Sequence, residues 1–157
     1  MKPQLEPKKR SRIEPDIDKY LRTISSPDCF LNVDLEIFSR SALGPLVAAF
    51  GEGVYTLHMG PEFGLNKAVL EVSEGPQSPE YCILSFCKLI RSLPPRERAL
   101  WDAAKSRTFD IGIEAPELGH TYWSPISAKA VHAAAEVNAR IAISVYNPKK
   151  QTRSAPS

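Results

Sequence analysis

Two short runs, "VDLEI" at 33–37 and "FDIGI" at 109–113, each set an aspartate between apolar residues at the centre of an alternating stretch. Around them stand the groups that acid–base chemistry or recognition of a positive partner would use: Asp34, Glu36, Asp110, Glu114 and, from a separate run, His58. Paired carboxylates do proton-transfer work when their surroundings push their pKa values apart. They also bind hard cations, which prefer oxygen ligands, and attract basic proteins over a distance. A second concentration, "ELGHTYW", brings His120, Tyr122 and Trp123 into one loop at 116–125. Aromatic rings bury large area at low entropic cost, so this loop serves either as a recognition lip or as a lid folded back on the core.

These eight residues are the candidate partner-binding set. No catalytic residue, metal ligand or cofactor site is assigned. The chain has no phosphate-binding glycine loop, no GxGxxG, no HExxH, no zinc-ligand spacing and no GxSxG. The glycines of "FGEGVY" stand where a helix ends and a strand begins, the context of a turn.

The elements that must position the set follow from periodicity. "LNVDLEI" alternates apolar and polar residues, the mark of a half-buried strand. "SALGPLVAAF" predicts a short helix with Pro45 near its start, and "VYTLHMG" and "NKAVLEVSE" a hairpin through "PEFGL". "SPEYCILSFCKLIRSL" predicts the main core helix, capped by Ser78 with Pro79 at its first position. "PPRERALWDAAKSR" restarts as a second helix that buries Leu100, Trp101 and Ala104. The "FDIGI" strand, the long loop, a helix over "SAKAVHAAAEVN" capped by Ser127, and a last strand "RIAISVY" complete the order βαββααβαβ. The Asp-centred strand, helix and strand thus occur twice. The expectation is an α+β two-layer sandwich with helices on one face of a mixed or antiparallel sheet, ferredoxin-like (split βαβ) or a relative.

Strand alternation also sorts the faces. Toward the helices it predicts Leu31, Val33, Leu35, Tyr55, Leu57, Leu70, Val72, Phe109, Ile111, Ile113, Ile141, Ile143 and Val145. The opposite face collects Asn32, Asp34, Glu36, Thr56, His58, Lys67, Glu71, Thr108, Asp110, Glu114, Arg140, Ser144 and Tyr146. A sheet with one wet face is polar there in any case, so carboxylates alone do not make a site.

Charge divides the chain into three parts. Residues 1–28 carry 7 basic and 5 acidic groups, and residues 148–157 carry 3 basic groups. The stretch 29–147 has 10 basic and 13 acidic groups, a net of −3. We read 1–28 as a flexible, basic, Pro-containing tail with room for a short helical turn around Ile17, Tyr20 and Leu21. Residues 29–147 form the single domain, and 148–157 a disordered basic tail. An acidic domain argues against nucleic acid as the main partner, leaving at most weak contact through tail runs such as "KKRSR" at 8–12. No apolar run is long enough to span a bilayer, and the basic start is not followed by the apolar stretch of a secretory leader. Three cysteines outside any CxxC suit reduced thiols in the cytoplasm. Cys82 and Cys87 fall near the core stripe of the main helix, whereas Cys29 has room to be exposed.

The stretches "LNVDLEIFS", "LPPRERALWDAAKSRTFDIGIEA" and "SAKAVHAAAEVNARIAISVYNP" resemble a group of small uncharacterised bacterial proteins. That group is distantly similar to a bacterial domain of unknown function with suspected immunity-type members. The resemblance covers 30–148, consists mostly of core patterning, and carries over no catalytic residue. Together with the acidic face it leads to the expectation of a non-catalytic protein-binding domain. The partner would be another protein, such as a basic toxin-like effector captured by an immunity or antitoxin-type protein. The competing expectation is a small enzyme or ligand-binding protein with a pocket under the 116–125 loop, using His120, Asp110, Glu114 and Tyr122.

Overall fold

A computed structural model describes residues 16–24, 29–75, 77–116 and 118–147. The basic run at 8–12 and the C-terminal tail at 148–157 lie outside them. Within the segment read as an N-terminal tail, Ile17–Ile24 form a helix, α1, whose Ile17 and Tyr20 are exposed.

The remaining elements are β1 (Phe30–Ser39), α2 (Gly44–Ala49), a single 3-10 turn at Gly51–Gly53, β2 (Val54–Glu62), β3 (Leu65–Val72), α3 (Pro79–Arg91), α4 (Pro95–Ala103), β4 (Ser106–Glu114), α5 (Ala128–Glu136) and β5 (Arg140–Tyr146). The fold is α+β: among the described residues there are five helices and one five-stranded mixed sheet of order β2-β3-β1-β4-β5. β1 pairs antiparallel with both β3 and β4, β2 pairs antiparallel with β3, and β5 runs parallel to β4. The parallel step needs a crossover, and α5 supplies it.

Local chemistry explains the joints. Phe63 and Gly64 both take positive φ, 52° and 75°, which is the two-residue turn that matches the twist of a hairpin. The Ser78 hydroxyl accepts from the Tyr81 N–H at 3.1 Å, and Ser127 does the same for Ala130 at 3.2 Å. Each cap satisfies an N–H that a helix start leaves open. Glu80, at the start of α3, also accepts from the Ser127 hydroxyl at 2.7 Å, tying the starts of α3 and α5 together. Asn138, at φ 56°, ends α5 in the left-handed conformation while the Ala139 N–H reaches back to Ala134.

One face of the sheet makes the core. Val33, Leu35 and Ile37 of β1, Ala68 and Leu70 of β3, and Phe109 and Ile111 of β4 are sealed beneath α2 to α5. Phe86 of α3 stacks on Phe109 with ring centroids 5.7 Å apart.

Two bulges change the expected faces. Phe30 pairs with Ile113 and Asn32 with Gly112, so Leu31 is the extra residue. It is 42% exposed and does not face the helices as its alternation predicts. On β2 the register slips between Thr56 and His58, making Leu57 the extra residue. Tyr55 consequently stands opposite Glu71 on the polar face, Thr56 stands opposite Leu70 on the helix side, and Leu57 is exposed. A bulge adds one residue and re-aims its neighbours. Cys29 is buried, not exposed, so all three thiols are internal. Burial pushes the Cys87 thiol up to about 11 and raises Cys82 as well.

Candidate functional site

The polar face is assembled by register. Residues opposite one another across antiparallel strands share a face, with Cβ atoms about 5 Å apart. Asp34 stands directly opposite Asp110, and Glu36 opposite Thr108 on one side and Val69 on the other. Glu71 and Lys67 flank Val69 on β3, and Arg140 pairs with Thr108 from β5. The repeated Asp-centred run therefore has a geometric consequence: its two aspartates meet across the central pair of strands.

Like charges in that arrangement repel. The Asp34 carboxyl is pushed up to about 6, first by burial and then by the charges of Glu71, Asp110 and Glu36. Neutral donors bond both aspartates. Asn32 Nδ2 donates to Asp34 Oδ1 at 2.8 Å, and the Ser144 hydroxyl lies 2.9 and 2.8 Å from the two Asp110 carboxylate oxygens. The nearby cations are engaged away from the aspartate pair. Lys67 Nζ lies 3.7 Å from Glu36 and 3.2 Å from Glu62, above the Phe38 ring. Arg140 donates to the hydroxyls of Ser106 and Thr108, the latter at 3.0 Å.

Gly112 keeps the Asn32 contact possible. A Cβ at this position would sit 2.7 Å from the Asn32 side-chain oxygen. We expect Gly112→Ala to displace Asn32 from Asp34, costing about 1 kcal/mol and raising the Asp34 pKa further. A carboxyl titration followed by NMR checks this, since an unshifted Asp34 would mean that Asn32 keeps its bond.

An open hollow of about 430 Å³ on this face is lined by Glu36, Thr108, Asp110, Arg140, Ile141, Ala142 and Ser144. A second, of about 470 Å³, lies on the helix side around Val72, Glu74, Tyr81, Lys88 and Leu89, where the Tyr81 hydroxyl bonds Glu74. Neither hollow is lined by the 116–125 loop.

Of the eight candidate residues, the structure gathers Asp34, Glu36 and Asp110. His58 is on the same face but separated from Glu36 by β3, on which Val69 pairs with both. Glu114 is at the far end of β4 beside Tyr146. His120 is exposed in the loop, whereas Tyr122 and Trp123 are partly buried. Burial raises the Tyr122 phenol, which has Ser124 as a hydrogen-bond partner and Cys29 nearby. Glu71, Asn32, Ser144 and Arg140 belong to the site although the candidate set omitted them. Alternation assigns all four to the polar face, and only register shows which of them converge.

Carboxylates so placed can exchange protons near neutral pH or accept positively charged groups. Among the described residues, no group of three or more His, Cys, Asp or Glu side chains is arranged to hold a metal ion. No helix among them is long and apolar enough to cross a membrane. Comparison with protein-family models, with curated proteins and with solved structures gave no match in any of the three.

Proposed function

We propose that this chain is a non-catalytic protein-binding domain that captures a basic partner on its open sheet face. The observation that supports the reading is the convergence of Asp34, Glu36, Glu71 and Asp110, with the aspartates opposed across one strand pair. Such a face carries electrostatic repulsion that a lysine- or arginine-rich partner relieves, and its field speeds encounter with that partner. The resemblance to small uncharacterised bacterial proteins, distantly similar to a domain with suspected immunity-type members, points the same way: a basic toxin-like effector is the kind of partner the surface fits. The buried, unpaired thiols of Cys29, Cys82 and Cys87 suit a cytoplasmic setting.

The finer reading of the fold belongs to the same proposal. β2-β3-β1-β4 are antiparallel throughout, with α2 between β1 and β2 and α3–α4 between β3 and β4. That arrangement supports reading the fold as a ferredoxin-like split βαβ sandwich, to which α5 and β5 are added.

The test is affinity capture from the native host with the wild-type chain and with the double charge reversal Asp34→Lys, Asp110→Lys. The wild type is expected to retain a basic protein. The reversed chain, with its fold checked by circular dichroism, is expected to associate with it at least about tenfold more slowly. Retention of the same partner at an unchanged rate by the reversed chain, or no basic partner at all, overturns the proposal.

A further inference from the structure

β2 and β5 end the sheet, and their outer edges differ in kind. β2 carries the bulge at Leu57 and a proline at position 61. Both features spoil an edge as a template for another strand. β5 has neither. Its seven residues pair with β4 without a register shift, and its one charged residue, Arg140, is its first.

The helix side of β5 is also left uncovered. Ile143 is 63% and Val145 65% exposed, although the same face of β1 is sealed. Val131 of α5 is half exposed and extends this apolar wall. Glu136 turns one flank of α5 toward Arg91 of α3. The buried stripe Ala130, Ala133 and Ala134 separates Glu136 from Val131, which therefore lies on the flank away from α3. Since α3 sits over β1 and β3, that flank overhangs β5.

We propose that the chain forms a two-fold symmetric homodimer in which β5 pairs antiparallel with β5 of a second copy, in a register centred on Ile143. The strand's own sequence selects a second copy as occupant. In that register Ile141 faces Val145, Ala142 faces Ser144, and Ile143 faces itself, so three apolar side chains from each copy form one strip on the helix side. Arg140 falls opposite Tyr146, whose ring attracts a guanidinium. The two Arg140 side chains end up about 20 Å apart, six residues at about 3.4 Å each. A parallel pairing would set them side by side instead. One edge strand and one helix flank make a small interface, and stable interfaces begin at about 1,200 Å² in total. The dimer is accordingly concentration-dependent. It joins two sheets into one of ten strands with both acidic faces on the same side, and it does not depend on what those faces bind.

Sedimentation velocity of the full chain from low to high micromolar concentration tests this. The wild type is expected to shift from monomer to dimer. Ile143→Lys is expected to weaken dimerisation at least about tenfold, because it buries a charge in the apolar strip, while circular dichroism stays as in the wild type. Ile143→Cys is expected to yield a disulfide-linked dimer on mild oxidation. The two-fold axis brings the paired Cα atoms to about 5 Å, within disulfide reach, and the native cysteines are all buried. A wild type that stays monomeric overturns the proposal, including the case in which the edge takes a strand from another protein. So does a dimer indifferent to Ile143→Lys, or one that Ile143→Cys leaves unlinked.

Discussion

Trp101→Ala is expected to remove about 3–5 kcal/mol of stability, out of the 5–15 kcal/mol a domain of this kind commands. Trp101 is fully buried, and it is the largest side chain in the core. Its Nε1–H donates to the Val137 carbonyl at 2.9 Å, which fixes α4 to the point where α5 turns into β5. Arg107 braces the same corner. Its guanidinium lies 5.9 Å from the Trp101 ring centroid and donates to the carbonyls of Trp101, at 2.7 Å, and Asn138, at 3.0 Å. Truncation leaves a cavity and strips the buried Val137 carbonyl of its donor, two costs that add. Trp101→Phe separates them: it keeps most of the packing and loses the hydrogen bond, so its cost should be smaller, about 1–3 kcal/mol. Urea denaturation gives both values, and an alanine variant with a near-wild-type midpoint would refute this account of the corner.

Much of this architecture was legible in residue order, because its signals are local. Period-two runs marked all five strands, and Ser78 and Ser127 marked two helix starts through hydroxyls that only an N-cap uses well. The places where the structure departs from alternation depend on something distant. The bulges at Leu31 and Leu57 leave the composition of their strands unchanged, yet each turns neighbouring side chains to the other face. Ile143 and Val145 follow the same apolar alternation as Val33 and Leu35, and their exposure reflects only what fails to lie over an edge strand.

The site was half legible for the same reason. Alternation placed Asp34, Glu36 and Asp110 on the polar face, but whether they meet depends on β1 and β4 being neighbours in register. Glu71 contributes through a strand pairing that nothing in its own segment announces. His120 and Tyr122 stand out by residue type, and the chain places them in a loop that lines neither the hollow at Asp110 nor the one at Tyr81.

Asp34→Asn is expected to make the protein more stable at neutral pH and worse at holding a basic partner. The sign follows from the titration. In the fold the Asp34 carboxyl titrates at about 6, above its ordinary value of 3.8. The native state therefore binds more protons than the unfolded chain between those values, and stability falls as pH rises through that window. Below about pH 3 the carboxyl is protonated in both states and adds no penalty. Above about pH 7 the penalty is complete. One pKa unit corresponds to about 1.4 kcal/mol, but Asp34 is only half buried and screening reduces the effect, leaving a gain on the order of 1 kcal/mol for the asparagine variant. Its side-chain oxygen can still accept from Asn32, so the hydrogen bond is kept while the charge is lost. Thermal melts should place the variant about 4 °C above the wild type at pH 7, with the two curves converging near pH 3. Binding runs the other way. A basic partner favours the ionised carboxylate, so wild-type affinity should fall between pH 7 and pH 5 as Asp34 takes up its proton, and the asparagine variant should lose that part of the pH dependence. A variant no more stable than the wild type at pH 7 would mean that burial and the neighbouring carboxylates do not penalise the Asp34 charge. A gain in stability with partner binding intact would mean that the penalty on the Asp34 charge is real but serves no partner on this face.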